Sequence, residues 1–91
     1  MNFDGIYNYY ENMVYDEIKR LFNSPDNTYS MDDAEDIACI ALNKLPARYI
    51  RHSVDAAFFL AEGERESMLK AVSEAVKAAV ERVQSHPGVP D

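Results

Sequence analysis

The sequence has few of the residues that several common kinds of site require. It contains one cysteine, Cys39, which excludes an internal disulfide framework and a multi-cysteine zinc site within one chain. Its three glycines leave no material for a P-loop or a dinucleotide-binding fingerprint. No apolar run approaches the roughly 18 to 20 residues of a membrane span, so we expect no membrane insertion.

Basic residues are also scarce. The chain has 9 Lys and Arg residues against 16 Asp and Glu residues, and its formal net charge is −7. This balance argues against a general affinity for DNA or for anionic membranes. The N-terminus lacks the basic start and the apolar stretch of a secretory signal, so we expect a cytoplasmic protein. The length of 91 residues suits one domain over 1–91, with a core over about 7–84 and a flexible tail over 85–91.

Apolar residues follow helical spacing over much of the chain. A first helix is predicted from about Tyr9 to Phe22, because its apolar residues share one broad face. Asn8 and Glu11 have the spacing of a capping box, in which each side chain bonds to the other residue's main chain. The sequence therefore predicts that Asn8 begins this helix.

A second helix is predicted after Ser30, which is a good N-cap residue. It should end at Leu45, because Pro46 pushes the residue before it away from helical backbone angles. The run is apolar on nearly every side, which is typical of a helix that neighbours enclose. We expect it to be the central core helix, with Cys39 packed as a small hydrophobic residue.

The rest of the chain predicts further helices. The segment 47–53 has no helical pattern and is extended or forms a turn, but a single strand without a partner predicts no sheet. Helical character resumes from Val54 to about Leu60, and a last helix runs from about Glu64 to Gln84. The predicted core positions of that last helix are Leu69, Val72, Val76, Ala79 and Val83. The expected fold is all-α, a compact bundle of about four to five helices.

One basic island stands out in this acidic chain. No acidic residue occurs between Asp36 and Asp55, but the interval contains three bases, one histidine, one asparagine and one tyrosine that form the island: Asn43, Lys44, Arg48, Tyr49, Arg51 and His52. Arginine binds phosphate and stacks on purines, and tyrosine supplies a stacking face, so a ligand with phosphate and purine groups suits this set. A structural explanation also stays open. Lys44 would then complement the end of the second helix, and the arginines would pair with nearby acids.

The sequence offers little support for catalysis or sequence-specific DNA binding. It has two histidines, and nothing suggests that they converge with a serine or an acid. A helix-turn-helix needs a short turn and a basic recognition helix, whereas the second helix starts strongly acidic. We therefore expect a protein that is not an enzyme and does not bind DNA.

Two sequence blocks resemble a known family. The block from Asn8 to Val14 resembles the opening of the ComFB family, a family of late competence development proteins that begins roughly Asn-Tyr-x-Glu-x-Leu/Val-Val. The block from Asp36 to Ile50 is closer to the family signature Asp-Val/Ile-Ala-x-x-Ala-Leu-Asn-x-Leu-Pro-Pro-Arg-Tyr-Val. Ala47 replaces the second proline of that signature. The resemblance covers about residues 7–83.

The resemblance implies a mostly helical domain that forms a homodimer. Some family members hold zinc with a cysteine cluster ahead of the second helix. Here residues 28–31 are Thr, Tyr, Ser and Met, and Cys39 falls at a position that is not a ligand. We therefore expect neither zinc nor another resident cofactor.

The resemblance also implies a role in signalling. Family members are associated with the cyclic dinucleotides cyclic di-GMP and cyclic di-AMP, and with competence, type IV pili and motility. We therefore expect a receptor for such a messenger that acts on an as yet unidentified protein effector. The expected ligand contacts are phosphate or purine contacts by Lys44, Arg48 and Arg51, stacking by Tyr49, and loop or base-edge contacts by Asn8 and Asn43. The alternative is a ligand-free dimeric adaptor that acts by protein–protein contacts in the competence or pilus pathway.

Overall fold

Three helices and one pair of short strands make up the described part of the chain. The computed structural model describes residues 1–27, 29–51 and 60–85. The elements in chain order are β1 (Ile6–Asn8), α1 (Tyr10–Phe22), α2 (Met31–Lys44), β2 (Tyr49–Arg51) and α3 (Glu64–Ser85). Each helix packs against the other two, so the three helices share one core.

Helix α1 contributes one stripe of side chains to that core. Its buried residues recur at the three- and four-residue spacing of a helix face: Tyr10, Met13, Val14 and Ile18. The helix ends after Phe22 in a turn, where the N–H of Asn23 donates to the carbonyl oxygen of Lys19 at 3.0 Å. This extent confirms the predicted first helix to within one residue.

Helix α2 begins at the predicted cap. The Ser30 side chain accepts a hydrogen bond from the N–H of Asp33 at 3.1 Å, and the Asp33 carboxylate accepts from the N–H of Ser30 at 3.0 Å. This reciprocal pair satisfies two main-chain donors at the helix start. Leu45, directly before Pro46, is extended with φ −92° and ψ 142°, so the proline ends the helix as predicted.

Helix α3 has the predicted extent but a different buried stripe at its start. Its buried residues are Met68, Val72, Val76, Ala79 and Val83. The prediction that Leu69 lies in the core is wrong, because its side chain is 41% exposed whereas that of Met68 is 4% exposed. Leu69 lies three residues before Val72 and Met68 lies four residues before it, and both spacings suit a helix face. The fold buries Met68.

The centre of the core is small and aliphatic. Its largest completely buried side chains come one from α1, two from α2 and one from α3: Val14, Ile37, Ile40 and Val76. Among the described residues no polar or charged side chain is buried with them. Helix α2 thus supplies the middle of the core, as the sequence predicts.

The predicted compact, mostly helical fold is confirmed, but the predicted four to five helices and the absence of a sheet are not found in the described residues. These residues form three helices and a two-stranded antiparallel sheet. The segment predicted to lack a partner contains β2, which pairs with β1 more than 40 positions earlier in the chain, and Tyr7 lies opposite Ile50. The helix predicted from Val54 falls outside the described residues except for Leu60, which lies in a bend.

In the part of the chain that the structure describes, no helix combines the length and apolar character that crossing a bilayer requires.

The packing of α3 predicts a contrast between two adjacent residues. Met68→Ala should lower the free energy of unfolding by about 2–5 kcal/mol, because it leaves a cavity beside the buried stripe. Leu69→Ala should change it by less than about 0.5 kcal/mol, because Leu69 is at the surface. Urea unfolding followed by circular dichroism measures both. A larger loss for Leu69→Ala than for Met68→Ala would contradict this assignment of the α3 stripe.

Candidate ligand-binding site at the strand pair

The strand pair presents an aromatic ring and a cation on one exposed face. In β2, Ile50 is 3% exposed, whereas Tyr49 is 65% exposed and Arg51 is also exposed. Side chains alternate along a strand, so Tyr49 and Arg51 point away from the core. Asn8 lies opposite Tyr49, and Ile6 lies opposite Arg51. We call these four side chains the strand face.

The Asn8 carboxamide joins this face to the loop after α2. Its Oδ1 atom accepts a hydrogen bond from the N–H of Arg48 at 3.0 Å and another from the N–H of Tyr10 at 3.2 Å. The N–H of Tyr9 also donates to the carbonyl oxygen of Arg48 at 2.7 Å. Both main-chain polar groups of Arg48 are therefore bonded to the junction of β1 and α1.

The predicted capping box of Asn8 and Glu11 is wrong. The N-cap residue of α1 is Tyr9, which is in the helical region at φ −59° and makes no side-chain cap hydrogen bond. Asn8 lies one residue earlier and bonds both to the helix start and to a segment 40 positions away. The contact with Arg48 could not be read from the local spacing that suggested the box.

The Arg48 side chain forms an ion pair with the first residue of α3. Its Nη1 atom lies 3.3 Å from Oε2 of Glu64, and the two side chains are 37% and 30% exposed. The other carboxylate oxygen of Glu64 accepts from the N–H of Ala61 at 2.8 Å. The pair therefore connects the residue before β2 to the turn that begins α3.

The remaining predicted site residues do not all converge on the strand face. Asn43 and Lys44 are exposed on the last turn of α2, where Lys44 complements the negative end of the helix dipole. His52 of the basic island lies outside the described residues. The structure thus brings together Asn8, Arg48, Tyr49 and Arg51, and leaves Asn43 and Lys44 at the start of the loop that leads to them.

Glu64 and Ile6 lie at the candidate site but were not predicted from the sequence. Glu64 was placed only as the start of the last helix, and its contact with Arg48 spans 16 positions without a periodic signal. Ile6 precedes the block that resembles the family, and its position on the strand face follows only from the strand register. One explanation that the sequence left open was that the arginines of the basic island pair with acids. Arg48 does so, because it pairs with Glu64.

A second feature, an apolar groove, lies between α1 and α2. It has a volume of about 630 Å³. Its lining comes from α1, from the residue after α1 and from α2: Tyr15, Ile18, Lys19, Phe22, Asn23, Met31, Ala34, Glu35, Ala38, Cys39 and Leu42. The prediction that Cys39 packs in the core is wrong, because its side chain is exposed here. Among the described residues α1 and α3 cover two sides of α2 and leave this side open.

Another arginine forms an ion pair outside the basic island. Arg20 donates two hydrogen bonds to Glu17 one turn earlier on α1, at 2.8 and 3.0 Å. The hydrogen bond from Arg20, assisted by its charge, lowers the pKa of the Glu17 carboxyl below its usual value. Within the described ranges, no group of three or more His, Cys, Asp or Glu side chains is placed to hold a metal ion.

The double role of Asn8 predicts a stability cost on its removal. Asn8→Ala should lower the free energy of unfolding by about 1–3 kcal/mol, because the part-buried N–H of Arg48 loses its acceptor. Asn12→Ala is the matched control, since Asn12 is exposed on α1 and alanine favours helices. Thermal unfolding compares the two variants. Equal stability of both would contradict an anchoring role for Asn8.

Comparison with known proteins bears on the same segments. The sequence model of the late competence development protein ComFB matches residues 7–87 of the 91-residue chain. No curated protein and no solved structure matched the chain. The match contains α1, α2, β2 and α3, and thus both blocks that suggested the family. The chain therefore belongs to the ComFB family.

Proposed function

We propose that this protein is a non-catalytic cytoplasmic signalling module that binds a cyclic dinucleotide at the strand face. Cyclic di-GMP and cyclic di-AMP are the candidate ligands. Competence, type IV pili or motility are the candidate processes. A protein effector would recognise the ligand-bound form of the chain.

The exposure of Tyr49 is the observation that carries this proposal. Tyr49 is 65% exposed, so a ligand that approaches the strand face can reach its ring. Stacking between a base and an aromatic ring contributes about 1–3 kcal/mol per base. Arg51 lies two residues later on the same face, where a guanidinium can bind phosphate or stack on a second base.

The local charge also supports an anionic ligand. The formal net charge of the chain is −7, yet no acid occurs in the sequence between Asp36 and Asp55. Lys44 and Arg51 therefore place positive charge near one loop and strand, beside the Arg48 guanidinium that pairs with Glu64. A ligand with two phosphates gains most from such a local field, because opposite charges attract at short range even when the whole molecule is acidic.

A homodimer would match the symmetry of the ligand. A cyclic dinucleotide has two bases and two phosphates related by an approximate two-fold axis. A two-fold dimer presents the same residues twice, so one Tyr49 and one Arg51 from each chain would meet equivalent halves of the ligand. Dimerisation and ligand binding are therefore parts of one proposal.

The stacking role of Tyr49 gives the test of this function. Isothermal titration calorimetry with each cyclic dinucleotide should show binding by the wild-type chain. It should show roughly tenfold weaker binding by Tyr49→Ala, because a stacking platform is lost. Tyr49→Phe retains the ring and should bind like the wild type.

Leu69→Ala is the control for this test, since it removes an exposed apolar side chain from α3. Its affinity should equal that of the wild type. Melting temperatures provide a second readout, because a ligand that binds only the folded state must raise them. Absence of binding heat and of any melting shift with both nucleotides would refute the receptor function.

The apolar groove favours a second candidate function, a ligand-free dimeric adaptor. Apolar side chains dominate the groove, and its lining includes Lys19 from α1 and Glu35 from α2. A two-fold dimer through the groove would bring one Lys19 and one Glu35 from each copy to the interface, where opposite charges can pair. A second copy of this chain is therefore the occupant that this candidate function assigns to the groove.

A charge placed in the groove tests this second candidate. Cys39→Glu puts a carboxylate on the exposed groove wall and should convert a dimer to a monomer, because an unpaired charge cannot be buried without a large cost. Ala78→Glu, at an exposed position of α3, is the control. Light scattering after size exclusion measures the mass. A dimer that survives Cys39→Glu would place the interface elsewhere.

A further inference from the structure

Glu64 is placed to influence the proposed ligand site, on which this inference rests. Its carboxylate lies 3.3 Å from the Arg48 guanidinium, the cation that directly precedes the strand face. A carboxylate and a phosphate compete for the same guanidinium N–H groups, because both accept hydrogen bonds in the plane of the fork. We infer that Glu64 is an internal competitor that an anionic ligand must displace from Arg48.

The main chain of Arg48 is held by hydrogen bonds, whereas its side chain can exchange partners. Its N–H is bonded to Asn8 and its carbonyl oxygen to the N–H of Tyr9. The guanidinium is therefore tethered at a fixed point beside β2, while its side chain is 37% exposed. Exchange of its partner therefore needs a movement of side chains and not of this part of the backbone.

Glu64 can release Arg48 without losing its structural role. Its Oε1 atom accepts from the N–H of Ala61, and its own N–H donates to the carbonyl oxygen of Ala61 at 3.0 Å. These two bonds close the turn before α3, in which Gly63 has the left-handed φ of 79°. The ion pair with Arg48 uses Oε2, so the turn and this ion pair use different oxygens.

The competition sets an electrostatic threshold for ligands. A ligand with a single weak negative charge gains little binding free energy when it replaces the Glu64 carboxylate at Arg48, because the two contacts are equivalent. A ligand that brings two phosphates gains contacts at Arg51 as well, so it can compensate for the lost ion pair. Glu64 thus selects for multiply charged ligands.

Glu64→Gln is the variant that isolates this effect. The glutamine keeps an acceptor for the N–H of Ala61 but removes the charge that holds Arg48. Part-exposed ion pairs of this kind are weak, so affinity for cyclic di-GMP or cyclic di-AMP should rise about two- to fivefold. Glu66→Gln is the matched control, since it makes the same change in net charge at an exposed position two residues later on α3.

Measuring Glu64→Gln in a chain that also carries Arg48→Ala distinguishes direct competition from a general charge effect. With Arg48 absent, Glu64→Gln should no longer change the affinity, because no contact is left to compete for. The gain from Glu64→Gln should also shrink between about 0.01 M and about 1 M salt, as screening weakens the ion pair. A merely structural role of Glu64 would not produce this pattern.

Calorimetry on the wild type and these variants gives distinct outcomes. Tighter binding by Glu64→Gln alone supports the competition. Equal affinities of the wild type, Glu64→Gln and Glu66→Gln refute it and leave the receptor function intact. Absence of binding by every variant refutes the receptor function and the competition together.

Discussion

The Asn8 side chain holds together the two parts of the chain that form the site. One oxygen atom accepts hydrogen bonds from the N–H of Tyr10, two positions later, and from the N–H of Arg48, 40 positions later. The two strands are only three residues long, and a strand pair of that size has little stability of its own. The carboxamide therefore anchors the strand pair to the start of α1.

The helices could be predicted because their signals are local. Apolar spacing, the Ser30 cap and Pro46 each act within a few residues, and each lies where the sequence placed it. The strand pair could not be predicted in the same way. Three residues are too few to display alternation, and the partner of Tyr49–Arg51 lies at Ile6–Asn8, where no sequence feature announces a strand. Leu69 and Cys39 were misplaced because a residue type does not report which side of a helix its neighbours cover.

The candidate site was only partly predictable, again for reasons of distance along the chain. The scarcity of acids around Lys44, Arg48 and Arg51 identified the basic region, and the structure places Arg48, Tyr49 and Arg51 at one strand. The partner of Arg48 is Glu64, which belongs to another element and carries no signal in the sequence. The basic island is therefore not uniform: its arginine at the loop is paired, whereas its tyrosine and its second arginine face solvent. Under the proposed function, a ligand would have to break the first contact and would cover the second surface.

The most direct test of the account is an NMR titration of the ¹⁵N-labelled chain with a cyclic dinucleotide. If the strand face is the ligand site, the amide signals of Tyr49, Arg51 and Glu64 shift in a saturable way, while those of the groove residues Ala38 and Cys39 change little. Saturable shifts confined to the groove, with the strand face unperturbed, would contradict it.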